Sequence, residues 1–221
     1  MKREVTIEVP RNWNGVTLKQ YIALKKDMDA YEGEYEAVLA CMFHHLCNFP
    51  VEYIQKLDID TYTNIVRDLT SFIGDVELPL QRFITIDGVE YGFEPNLSQM
   101  PYGAYVDISK YETMEINEKW AEIMSILYRP VTKKVGKLYD IEEYKAEIDG
   151  EKFMSVTMDV HFGAIFFFKT LLRDLLNTIQ KSLTKGTETL PHNMQSILER
   201  NGKAIQAWSN LQTEISSNLK K

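Results

Sequence analysis

With 221 residues, 44% of them hydrophobic and 26% charged, the chain is long enough for one large domain or two small ones and too apolar to be disordered throughout. Its 25 Lys and Arg against 32 Asp and Glu leave a net charge of -7, which rules out a global basic field for a nucleic-acid backbone, so no specific nucleic acid is expected as a partner. The opening MKREVTIEVP lacks the apolar run of a secretory signal, and the longest apolar run, FGAIFFF at 162–168, falls far short of the ~20 residues that span a bilayer, so a cytosolic protein without a membrane partner is expected.

In chain order, Val5 to Val9 alternates apolar and polar residues and predicts a short strand ended by Pro10. Thr17 is placed to cap a helix carrying Leu18, Tyr21, Ile22 and Met28, and Gly33 separates this from a second helix. In that second helix Tyr35, Val38, Leu39, Met42, Leu46 and Phe49 recur at three- and four-residue steps until Pro50. A third helix is predicted from about Thr61, with Tyr62, Ile65, Val66, Leu69 and Phe72 facing inward and Gly74 ending it. RFITI and VEYGF are β-rich runs joined by Asp87-Gly88, a pair that accepts the positive φ angles of a tight turn, so a hairpin is predicted at 82–94.

After Pro95 and Pro101, a short helix from Tyr102 to Tyr111 is expected, then one capped by Asn117 and running to Arg129 before Pro130. Val131 to Tyr139 reads as a small β excursion around Gly136. The strongest helical stretch runs from Met158 to about Leu183, where Phe162, Ile165, Phe166, Leu172, Leu175, Leu176, Ile179 and Leu183 give an apolar face broad enough to be packed from more than one side. Lys185-Gly186-Thr187 and Pro191 end it, and a more polar last helix follows from His192 to Leu219. The expected fold class is mainly α (α+β). Residues 1–184 form a helical body with a small β-hairpin region at 82–94, and residues 185–221 form a linker and a protruding amphipathic C-terminal helix.

The residues that could carry chemistry do not assemble into a recognised site. Cys41, His44, His45 and Cys47 are metal-ligand types, yet at about 100° per residue the two cysteines lie about 240° apart around a helix and cannot converge on one ion with the histidines. A structural helix with two free thiols is the expectation, and no disulfide. Asp159 and His161, two apart, point away from each other, and Asp159 is expected near the N-terminus of the long helix, where the helix dipole favours it, with no catalytic role. Asp140, Glu142, Glu143, Glu147 and Asp149 lack the alternation and central glycine of a calcium loop and read as a solvated helix face. Nucleophile elbows, Walker loops, dinucleotide fingerprints and HExxH patterns are missing from the sequence. No catalytic residue, cofactor or metal is expected, and the chain reads as non-enzymatic.

The last helix carries the interface prediction. Met194, Leu198, Ile205, Trp208, Ile215 and Leu219 fall on one seam, with Asn201 and Gln212 in the skipped places. Such a narrow stripe on a polar helix fits a partner or sister subunit, with Trp208 as the anchor and Gly186 and Pro191 freeing the segment from the core. Residues 185–221 carry +2 and the remainder -9, so the tail is electrostatically distinct.

The stretch at 83–111, opening FITIDGVEYGF, with IMSILYRPV at 123–131, YDIEEYK at 139–145 and MDVHFGAIFFFKTLLRDLL at 158–176, resembles a group of tailed-bacteriophage proteins encoded among virion-morphogenesis genes. The group includes proteins of phages infecting Bacteroidetes and of the crAss-like phages, and the likeness covers about residues 5–185. It brings no catalytic residues with it. It implies a virion structural or cargo protein acting through protein–protein contacts in capsid or tail assembly, found in the virion and, during assembly, in the host cytoplasm. The implied partners are other phage virion proteins, or further copies of the chain in a homo-oligomer. A tail assembly chaperone absent from the mature virion is the alternative, and an enzyme with an unrecognised site is a third class.

Overall fold

The computed structural model describes residues 6–73, 78–111 and 116–184, without the side chains of 172 and 175–184. In order come α1 (Leu18–Ala30), α2 (Tyr35–Cys47), α3 (Ile59–Ser71), β1 (Phe83–Ile86), β2 (Val89–Phe93), α4 (Tyr102–Ile108), α5 (Trp120–Leu127), β3 (Tyr128–Val135), β4 (Leu138–Ile141) and α6 (Met158–Thr184). The class is mainly α with a small antiparallel sheet, as the sequence leads one to expect. The predicted end of the third helix at Gly74 and the whole segment 185–221 lie outside the described residues.

Local chemistry fixes the helical starts. Thr17 and Gln20 form a capping box at α1: the Thr17 hydroxyl accepts from the Gln20 backbone amide and Gln20 Oε1 accepts from the Thr17 backbone amide at 2.9 Å. Gln20 also donates to the carbonyl of His45 at 3.1 Å, which ties the start of α1 to the end of α2. The third helix begins before Thr61 because Asp58 is its cap, accepting from the Thr61 amide at 2.9 Å. Asn117 does not cap α5 directly. It heads the preceding turn, its side chain accepting from the Lys119 amide and its carbonyl from the Trp120 amide.

The four strands follow one another across the sheet in the order β1-β2-β3-β4, all antiparallel. Asp87 and Gly88, at φ 50° and 79°, make the left-handed turn that the sequence predicts between β1 and β2. Ile84, Ile86, Tyr91, Phe93 and Tyr128 share the face turned to the core, as period-two alternation requires. Arg129 leaves the helix predicted for it, because Tyr128 and Arg129 pair with Phe93 and Gly92 and so belong to β3. On the opposite face the Tyr139 ring crosses Gly92, where a Cβ would stand 2.8 Å from the ring, and the Tyr139 hydroxyl donates to the Phe93 carbonyl at 2.6 Å.

Two further expectations fail. Val5 lies outside the described residues; residues 6–9 form no strand, since among the described residues no strand lies alongside to complete a ladder, and Ile7 and Val9 pack half-buried on the core instead. The acidic stretch is not a helix face either. Asp140 pairs with Lys133 in β4, the Glu142 amide then donates to the Pro130 carbonyl at 2.8 Å, and Ala146 takes φ 57°, a left-handed value that interrupts any helical turn.

Helix α6 is packed from more than one side, by the segment before α1 and α1 itself and by the sheet, as its broad apolar face predicts. Phe162 meets Trp13 and Tyr21 with ring centroids 4.8 and 5.5 Å apart, while Phe167 and Phe168 meet Phe93 at 5.6 and 6.0 Å. At its start an isolated antiparallel bridge joins Thr157 to Thr17. There the Met158 amide donates to the Val16 carbonyl at 2.8 Å and the Leu18 amide to the Val156 carbonyl at 3.0 Å.

Candidate functional site

The predicted interface seam of Met194, Leu198, Ile205, Trp208, Ile215 and Leu219 lies outside the described residues. The candidate chemical residues Cys41, His45, Cys47, Asp159 and His161 all lie among the described residues. Cys41 and Cys47 are free and buried, and burial pushes the Cys47 thiol up to about 11, so it stays protonated and a poor nucleophile. His45 turns to Asp27 on α1, with 2.7 Å between Nε2 and Oδ2. Among the described residues no three His, Cys, Asp or Glu side chains are placed to hold a metal ion.

Asp159 sits in the first turn of α6 and accepts from Gln81 Nε2 and from the Thr157 hydroxyl, each at 2.6 Å. It therefore fastens the segment before β1 to the helix start, in addition to facing the helix dipole. His161 points elsewhere, into the core, fully buried, with Nδ1 accepting from the Trp120 indole N–H at 3.1 Å. A nitrogen that accepts carries no proton, so the neutral ring has its proton on Nε2. Burial pushes the imidazole down to about 4, and it is neutral at physiological pH.

A polar network that sequence reasoning missed joins α4, β2, β3 and the chain after β4. Arg129 donates through Nη2 to Glu94 Oε2, and the two side chains are 9% and 7% exposed. Arg129 Nε and Nη1 have no hydrogen-bond partner among the described residues. The guanidinium lies 6.0 Å from the centroid of the Tyr144 ring. The Tyr144 hydroxyl in turn donates to Asp107 Oδ2, while Lys110 donates to Asp107 Oδ1 at 2.5 Å. Alongside, the Tyr111 hydroxyl donates to Glu122 at 2.6 Å.

Hydrogen bonds from Lys110 and Tyr144 hold the Asp107 carboxyl below its ordinary range. Burial, then the hydrogen bond to a carboxylate, pushes the Tyr144 and Tyr111 phenols well above theirs. Across neutral pH the carboxylate of Asp107 stays ionised and both phenols stay protonated. These three groups keep their hydrogen bonds and are not poised to exchange protons, which makes the network a fastener between segments. The sequence held one clue, since Arg129 is the single charge between Glu122 and Lys133. Its partner lies 35 positions away, beyond the reach of any local pattern.

No family model, curated protein or solved structure matches this chain. No helix among the described residues is long and apolar enough to cross a membrane.

Proposed function

We propose that this chain is a non-enzymatic bacteriophage virion structural or cargo protein that works through protein–protein contacts in capsid or tail assembly. The reading rests on the likeness of several separate segments to phage proteins, and in the fold those segments lie together. FITIDGVEYGF supplies β1 and β2, LYRPV the end of α5 and the start of β3, YDIEEYK strand β4 and Tyr144, and the FFF run the middle of α6. They meet at Phe93, whose ring packs on Tyr128, Phe167 and Phe168 and whose carbonyl accepts from Tyr139.

Mass spectrometry of purified virions tests the proposal. The expected result is the protein in particles at a defined copy number. Abundance in infected cells with absence from particles would replace this reading with that of an assembly chaperone.

A further inference from the structure

We propose that the tip of the β3–β4 hairpin docks on the α1–α2 corner of a second copy of this chain, joining copies head to tail. The inference rests on the reading above that the chain works through protein–protein contacts, and it names one of the partners.

At the tip, Val135 and Leu138 are directly paired across the ladder and 65% and 79% exposed. Paired residues present their side chains on one face, which Lys133, two positions before Val135, shares. Lys134 turns to the other face, where it meets Glu90 at 2.7 Å and lies 3.6 Å from the centroid of the Phe83 ring. The side-chain ammonium groups of Lys133 and Lys137 are exposed and make no ion pair among the described residues. Residues 131–138 hold three lysines and no carboxylate, so the rest of the chain carries -10. Lys133 and Lys134 belong to β3, an inner strand, and Lys137 to the turn after it, so the guarding of a sheet edge does not account for them, and it would not call for two bare aliphatic side chains beside them.

The matching surface is the corner between α1 and α2. Residues 27–36 hold five carboxylates and no Lys or Arg, and Tyr31 and Tyr35 stand there 46% and 68% exposed. Glu34 and Glu36 suit the N-terminus of α2, but Asp27 and Asp29 occupy the last turn of α1, where the helix dipole disfavours negative charge. Asp27 has His45 as a partner; neither an ion pair nor a favourable helix end accounts for Asp29 or Glu32. Ammonium groups over tyrosine faces ringed by carboxylates, with Val135 and Leu138 against the same rings, satisfy both surfaces together.

Within one chain no tip lysine pairs with a corner carboxylate, so the complementarity is met only between copies. The two surfaces differ, so the contact is heterologous and builds a ring or an open chain of subunits.

Sedimentation of the full chain over a wide concentration range, at low and high salt, tests this. The wild type should gain mass with concentration and lose that gain in high salt. Lys133→Glu with Lys137→Glu, and separately Glu32→Lys with Glu34→Lys, should each lose the gain, because like charges then face each other. An equimolar mixture of the two variants should recover it, which also shows that both are folded. A wild type that stays monomeric, variants that still associate, or a mixture that recovers nothing would each overturn the inference. None of these outcomes bears on the virion census, which tests the proposed function by itself.

Discussion

Trp120 gives its indole proton to Nδ1 of His161, so the imidazole keeps its own proton on Nε2, which is sealed in the core. The carbonyls of Val156 and Phe153 approach the ring without a well-formed hydrogen bond to it, and the nearby charge that acts on it is the Asp159 carboxylate. Burial outweighs these and holds the folded value at about 4 against an ordinary 6.5. Between those values the unfolded chain binds a proton that the fold refuses. The stability tied to His161 is therefore complete above the ordinary value and lost as pH falls toward the folded one, by about 3 kcal/mol. Denaturant titrations at pH 7 and pH 4 on wild type and His161→Gln measure it. The variant keeps an acceptor for Trp120 but cannot titrate, so its stability should fall by about 3 kcal/mol less over that range than the wild type's. Equal losses would mean that other groups carry the acid sensitivity.

Helix α6 passes so close under the segment before β1 that a Cβ on Gly163 would stand 2.5 Å from the Pro79 carbonyl oxygen. Alanine gains up to ~1 kcal/mol in helix propensity over glycine, yet the obstructing atom is backbone and has no rotamer to change. Gly163→Ala should cost about 1–3 kcal/mol net through overpacking and lower Tm by roughly 5 °C for a chain of this size. A raised Tm would show that residues 79–80 yield freely. Elements such as α6 were legible in the sequence because their signals are local: an apolar period, the Thr17–Gln20 box, the Asp87-Gly88 turn. Val5 to Val9 misled because alternation says nothing about whether another strand is present. The acidic stretch misled because the sequence does not show Asp140 pairing across to Lys133. For the same reason the Glu94–Arg129 and Trp120–His161 pairs, 35 and 41 positions apart, went unforeseen, although each of the four residues could be read for its own chemistry.

Across the whole molecule, the buried apolar residues of the described structure run from Trp13 to Phe168. Removing residues 190–221 should therefore leave the body folded, with a thermal transition close to that of the full chain. The same deletion should abolish any assembly with other partners that the seam from Met194 to Leu219 carries, measured by light scattering, while association of the body through the β3–β4 tip persists; unchanged assembly with those partners would move that role to surfaces of the body. The bridge between Thr17 and Thr157 has a further consequence for how the protein is made. The chain leaves the ribosome from its N-terminus, and α1 emerges early with its capping box complete. Val16 and Leu18 must nevertheless wait for Val156 and Met158, and Trp13 for Phe162. The first helices can pack on each other early, but Trp13, Val16 and Leu18 lack these partners until the start of α6 has been synthesised.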